Sequence, residues 1–395
     1  MLNNLGLLHR TLGKLEKAKE YCDRALAIRL KKLDPDHLDV AQCYNNLGLV
    51  HEDLGDLEQA KQCQKRALII FLKKLGHDHL DVAICYFYLG SVYRALGDLK
   101  QAKESQEHAL AIRLKKKLGP DHLDVAECYN DLGLVHRALG DLEQAKAYLE
   151  SALAIYLKKL GPDDLDVAKC YSNLDAVHRT LGNLEQAKEY CDRALAICLK
   201  KLGPDHLDVA QCYNNLGSVH HDQGKLWQAK ECQKHALIKF LKKLGHDHLD
   251  VATCFNNLGL IHRALGKLEE GKKYCDRALE IRLEKLGPDH VHVAMCYNNL
   301  GLVHRDLGNR KEAEECQEHA LAIRLKKLGP DHLDVATCYS NLGHVHRALG
   351  NLEQAKENHD RALTIRLNKL GPDHFDTMAQ NGYCFKDIYL LAGIN

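Results

Sequence analysis

One feature dominates the folding options of this chain: a 42-residue unit that recurs along almost its whole length. One clean copy runs from Pro330 to Gly371 and reads PDHLDVATCYSNLGHVHRALGNLEQAKENHDRALTIRLNKLG. The register is marked by a Leu-Gly pair whose second residue falls at Gly6, Gly48, Gly90, Gly133, Asp175, Gly217, Gly259, Gly301 and Gly343. Seven of the eight intervals are 42 residues and one, Gly90 to Gly133, is 43, owing to an extra lysine in Lys115-Lys116-Lys117. A length of 395 residues would otherwise suggest about two or three globular domains. A fixed period specifies instead an array in which each unit buries its apolar face against its neighbours.

Each copy predicts two helices. In the copy around Gly48, Asp39 is the expected N-cap of the first helix, with Gln42 three residues on as capping-box partner. The helix runs through Ala41, Tyr44, Leu47 and Gly48 to Leu54, and Gly55 closes it in the left-handed region. Asp56 opens the second helix, which carries Leu57, Ala60, Ala67, Leu68 and Leu72 and ends on Lys73 and Lys74, cations suited to a helix C-terminus. All seven prolines lie in the loop that follows, where a missing N–H costs nothing. No stretch alternates like a strand.

Three places depart from the period. Met1 enters in the middle of a first helix. The lysine insertion should shift helix phase unless the loop absorbs it. Beyond Asp376 the consensus dissolves, and TMAQNGYCFKDIYLLAGIN is expected to form a degenerate tenth first helix covering the end of the stack. The expected organisation is therefore one array over residues 1–375 and a capping segment over 376–395. A longer period is also present: Glu20 to Gly90 closely matches Glu189 to Gly259, as if four copies had been duplicated together.

The helical pair resembles the tetratricopeptide repeat, whose aromatic, Leu-Gly, aromatic, Ala, apolar, Ala signature is met here by Tyr44, Leu47, Gly48, His51, Ala60, Gln64 and Ala67. The 42-residue length and the phrases YNNLG, RALAI and LGPDHLDVA are similar to the repeats of kinesin light chains and nephrocystin-type proteins. The resemblance implies an all-α, right-handed α-solenoid superhelix of about nine repeats, acting as a protein–protein interaction scaffold whose concave groove holds an extended peptide segment. Two narrower roles follow: a kinesin-light-chain-like cargo adaptor, which would need a coiled coil upstream of Met1, and the sensor repeat region of a larger signalling protein. Histidine replaces the second aromatic in eight of the nine copies, with Tyr93 the exception, and Asp175 and Gly271 depart from the small-residue pattern.

A helical wheel separates the two faces of the first helix. Numbering it so that Leu47 and Gly48 are positions 7 and 8, positions 4, 7, 8 and 11 form one face of Tyr, Leu, Gly and His, suited to packing. Positions 2, 9 and 13 lie opposite and vary most between copies. Position 2 alone is Gln42, Ile84, Glu127, Lys169, Gln211, Thr253, Met295 and Thr337. Duplicated units that diverge on one face read as a recognition surface, although exposed positions also drift freely. Flanking it are two steadier ladders: asparagine at position 6 (Asn46, Asn173, Asn215, Asn257, Asn299, Asn341) and arginine at position 12 (Arg94, Arg137, Arg179, Arg263, Arg305, Arg347). Amides can hold a peptide backbone and guanidinium forks can grip carboxylates. With Gln42, Lys169 and Gln211 these residues form the expected groove, and an acidic or carboxylate-bearing segment is the expected ligand. The competing reading pairs the arginines with acids of adjacent copies.

The remaining chemistry is thin. Charge is balanced, 55 Lys+Arg against 54 Asp+Glu, which gives no argument for nucleic acid. No apolar run would insert in a membrane. Sixteen cysteines with no secretory leader at the start suggest a reducing, cytoplasmic setting. Cysteines recur before each first-helix aromatic, but without CxxC or HExxH spacing they read as small core residues, so no metal and no cofactor is expected. No phosphate loop, nucleophile elbow or one-off catalytic constellation is visible, and no enzyme activity is expected. The sequence sets no oligomeric state.

Overall fold

The structure, a computed structural model, describes residues 2–116, 119–372 and 375–391. Among the described residues there is no strand, and the chain falls into two compact units, Met1–Lys201 and Leu202–Asn395. The first unit holds α1 (Leu2–Thr11), α2 (Leu15–Lys32), α3 (Leu38–Asp53), α4 (Leu57–Leu75), α5 (Leu80–Leu96), α6 (Leu99–Lys115), α7 (Leu123–Leu139), α8 (Leu142–Leu160), α9 (Leu165–Thr180) and all but the last residue of α10 (Leu184–Leu202). The second holds α11 (Leu207–Asp222), α12 (Leu226–Leu244), α13 (Leu249–Ala264), α14 (Leu268–Leu286), α15 (Val291–Leu307), α16 (Arg310–Leu328), α17 (Leu333–Leu349), α18 (Leu352–Leu370) and α19 (Phe375–Leu391). Each unit is an α-solenoid: helices pair within a copy, and each second helix packs on the first helix of the next.

The cap of the first helix differs from expectation. Asp39 lies in the first turn, and the N-cap is His37, whose imidazole Nδ1 accepts the Asp39 N–H at 3.1 Å. His79, His122, His206, His248, His290 and His332 cap in the same way, and Asp164 does so where histidine is missing. The proline turn delivers residue 37 in extended backbone (φ −73°, ψ 143°), one residue before the helix, so its ring nitrogen reaches the second free N–H. Asp56 caps the second helix as expected, accepting from the Gln59 N–H.

Position-8 glycines permit close helix approach. A Cβ at Gly259 would stand 2.4 Å from the Cys275 Sγ. Apolar clusters then bridge neighbouring copies: Val40 and Ala41 of α3, Ala67, Ile70 and Phe71 of α4, and Val82, Ala83 and Cys85 of α5 form one continuous core. The position-3 cysteines are all buried, as their reading as small core residues requires.

A second device also joins copies. Arg324 of α16, 7% exposed, donates to the Asp334 carbonyl at 3.0 Å and contacts the Cys338 Sγ at 3.1 Å. Arg29 and Arg282 bind the next copy through the same two atoms, 10 and 14 residues ahead. Arg113 reaches Asp124 O and Cys128 Sγ at separations of 11 and 15, so the connecting loop absorbs the inserted lysine and helix phase is kept. The C-terminal helix docks by a variant of this contact: Arg366 donates to Gln380, which stands where the cysteine would be, and Gln380 donates to the His359 carbonyl at 3.0 Å.

Candidate interaction face of the first helices

Consecutive first helices touch one another directly: α1 with α3, α3 with α5, α5 with α7 and α7 with α9 in the first unit, α11 with α13, α13 with α15 and α15 with α17 in the second. Their side chains at positions 2, 6, 12 and 13 therefore form a continuous strip within each unit. Position 2 is open to water at Glu127, Lys169 and Gln211 and half-buried at Gln42, Ile84, Thr253, Met295 and Thr337. The packing positions behave as the wheel requires, with His51, His136, His178, His262, His304 and His346 buried.

The asparagine ladder is bound to itself. Asn173 Nδ2 donates to Asn130 Oδ1 at 2.8 Å, Asn257 to Asn214 at 3.1 Å, Asn299 to Asn256 at 2.9 Å and Asn341 to Asn298 at 2.8 Å. Each is a bond from position 6 to position 5 of the preceding copy. One N–H of every such amide is already committed, so the ladder offers a ligand fewer donors than a free amide would. Asn46 and Asn215 instead accept from Gln42 and Gln211, at 3.1 and 2.8 Å, one helical turn away. The position-5 asparagines that complete the relay were not singled out by the sequence reading. Their signal is the second letter of the recurring Tyr-Asn-Asn.

The arginine ladder divides into two kinds. Where position 13 of the following copy is aspartate, the guanidinium is taken: Arg10 binds Asp53 and Arg263 binds Asp306, both at 2.6 Å. Asp306 also holds Arg305 at 3.0 Å. Arg347 donates to the Tyr383 carbonyl at 3.2 Å. The pairing expected as the competing reading thus describes Arg263, while Arg305 is held by an acid of its own copy. Arg94 and Arg137 differ, because position 13 of the following copy is Ala138 and Thr180. Neither has an ion pair or hydrogen bond among the described residues.

Arg137 is exposed to water, yet its pKa is lowered, first by desolvation, then by the Arg94 and Arg179 guanidinia, with Asp175 opposing. A group that is both wet and desolvated has protein filling much of the space around it while its tip stays open. Glu127, also exposed, has its carboxyl pushed up, again first by desolvation, against the pull of Arg113 at 3.6 Å. Half-buried Asp131 and Glu52 are raised for the same first reason; the Ser91 hydroxyl, donating to Glu52 at 2.7 Å, opposes it there. Tyr88 replaces the ladder asparagine in this stretch. The first unit therefore carries a mixed-charge strip in which Arg94 and Arg137 have no ion pair among the described residues, beside the paired Arg10 and the Asn173–Asn130 bond; the second carries three such amide bonds and the neutralised Arg263 and Arg305. Lys169 sits at the strip's margin, exposed.

No group of three or more His, Cys, Asp or Glu side chains able to hold a metal ion occurs among the described residues. No helix among them is long and apolar enough to cross a membrane.

A tetratricopeptide-repeat family model matches residues 1–73, 45–115, 107–158, 132–178, 166–237, 250–326 and 297–368. The chain belongs to the tetratricopeptide repeat family. No curated protein matches it in sequence. Among solved structures, a Rap protein complexed with Competence and Sporulation Factor is 16% identical, covering 93% of this chain and 97% of that one, with a TM-score of 0.68. The apo form of the quorum sensor NprR from B. thuringiensis is 15% identical, covering 92% and 97%, with a TM-score of 0.64. At these identities the likeness is one of fold. The nearly identical repeats of a putative kinesin light chain from Podosopora anserina are 21% identical, covering 53% and 98%, with a TM-score of 0.43.

Proposed function

We propose that this tetratricopeptide repeat chain is a non-catalytic interaction scaffold that holds an extended segment of a partner protein along its first-helix face. The observation that carries the reading is the pair Arg94 and Arg137, neither of which has a hydrogen bond or ion pair among the described residues. The Arg137 guanidinium has already lost part of its hydration, so a carboxylate that arrives there gains a charge-assisted bond at reduced desolvation cost. The partner segment is thus acidic where it passes copies three and four. Asn173 and, in the other unit, Asn257, Asn299 and Asn341 serve mainly to fix the first helices in register, while Asn46 and Asn215 accept from Gln42 and Gln211 of their own helices. Fold likeness to a Rap protein solved with a bound factor supports the scaffold reading at the level of architecture. Sixteen cysteines, none in a disulfide, fit the reducing cytoplasm.

The test is binding of acidic and charge-swapped extended segments on a peptide array, for the unaltered chain and two variants. Arg94→Glu with Arg137→Glu should abolish capture of acidic segments. Arg263→Ala should leave it unchanged, because Asp306 already occupies that guanidinium. Charged hydrogen bonds contribute about 1.5–3 kcal/mol each, so losing two should weaken binding by about a hundredfold or more. Capture unaffected by the double change would overturn the reading.

A further inference from the structure

Copy eight differs from the others at the start of its first helix. Elsewhere the capping histidine is followed two residues later by aspartate, and the imidazole Nδ1 lies 4.0, 3.5, 3.7, 3.6, 3.5 and 3.9 Å from the carboxylate of Asp39, Asp81, Asp124, Asp208, Asp250 and Asp334. A ring that gains a proton in those copies can no longer accept the helix N–H, but it meets a carboxylate at once. In copy eight the aspartate is replaced by His292. The capping ring of His290 accepts the His292 N–H at 3.1 Å, and the two rings lie 5.1 Å apart.

The charges facing this cap are cationic. Arg282 of α14, 3% exposed, donates to the His292 carbonyl at 3.2 Å, and Lys327 of α16 faces His290. Farther along the same helix, His304 is buried, with Lys272, Asp276 and Glu269 of α14 and Glu312 of α16 around it and the Asn309 amide at 3.4 Å.

We propose that the N-terminal turn of α15 is an acid-sensitive clasp: protonating the His290–His292 pair removes the N-cap, places like charge beside Arg282 and Lys327, and releases the start of this helix from α14.

The sign of the effect follows from the titration. His290, His292 and His304 all have their pKa lowered from 6.5, in each case first by desolvation, although His292 is exposed at its tip, and then by a neighbouring cation: Lys327, Arg282 and Lys272 respectively. The folded state binds these protons less readily than the unfolded chain. The stability they contribute is therefore present above pH 6.5 and is lost as pH falls below it, through the folded values. Acid does not act this way everywhere. Glu52, Glu127 and Asp131 have raised values, so their protonation favours the folded first unit as pH falls. Because α15 carries Asn299, Arg305 and Asp306, opening it would also loosen that part of the first-helix face. This consequence rests on the proposed binding role; the clasp itself does not.

The experiment is amide hydrogen exchange on the full chain at about pH 7.5 and about pH 5.5, corrected for the intrinsic pH dependence of exchange. The start of α15 should lose protection at the lower pH, while the equivalent starts of α13 and α17 keep theirs. His292→Asp installs the residue that the other copies hold and should restore protection at low pH. Equal protection of the three helix starts at both values, or loss in α15 that persists in His292→Asp, overturns the proposal. Neither readout involves a partner, so it stands or falls separately from the groove.

Discussion

Replacing Gln317 with leucine should stabilise the chain, although it removes a buried hydrogen bond. Gln317 is 1% exposed and lies against Gly301, where an added Cβ would stand 2.6 Å from its Nε2. Its Nε2 donates to the Asn298 carbonyl at 2.9 Å, while its Oε1 is buried with no partner among the described residues. The same half-satisfied amide recurs at Gln64, Gln106 and Gln233. Losing the one bond costs about 1 kcal/mol, and the Asn298 carbonyl still lies within its own helix, whose ladder can use it. Removing an unsatisfied buried oxygen returns about 1–3 kcal/mol. The slot accepts the new shape, because Leu149 occupies it in copy four, fully buried, with its Cγ 2.6 Å from the corresponding Cβ position of Gly133. The expected net effect is a gain of about 0–2 kcal/mol. Since arrays need not unfold in one step, the measurement is urea-dependent hydrogen exchange resolved to α15 and α16 in the full chain. Destabilisation of that pair by about 1 kcal/mol or more would refute the reasoning, by showing that the lone N–H···O bond outweighs the stranded oxygen.

Two further outcomes follow from the joints between copies. Arg324→Ala should destabilise by about 2–4 kcal/mol, losing two contacts and leaving a cavity, whereas Arg324→Phe should change stability by about 1 kcal/mol or less, since Phe71 and Phe240 fill that slot in copies two and six; thermal melts in which both variants lose equally would refute the distinction. Deleting Lys116 should be nearly neutral, within about 0.5 kcal/mol, because Arg113 already makes the standard contacts across the longer loop. A larger loss would mean that the extra residue is required rather than absorbed.

Much of this was legible beforehand. The 42-residue spacing of Leu-Gly pairs and the loop prolines placed the helices, and the wheel found their packing face; the face opposite is less open than the wheel implied, since position 9 is exposed in no copy and Asn46 and Asn299 are buried. The histidine cap was harder to foresee. Aspartate is a common cap, and only the turn before His37 places the imidazole nearer the free N–H. The fate of the arginines was not readable from their own positions. Arg94 and Arg263 occupy the same place in the period, yet Arg263 is bound by Asp306 and Arg94 is not, because the deciding residue, Asp306 or Ala138, lies in the next copy.

The sequence by itself determined the fold class, the repeat length and the identity of the core positions, because these depend on periodicity within about 42 residues and on local turn chemistry. Only the tertiary structure decided which polar side chains remain available to a partner. Hydrogen bonds and ion pairs between copies consume donors and charges across distances that no single helix reports, and desolvation depends on how the surrounding protein closes around each group.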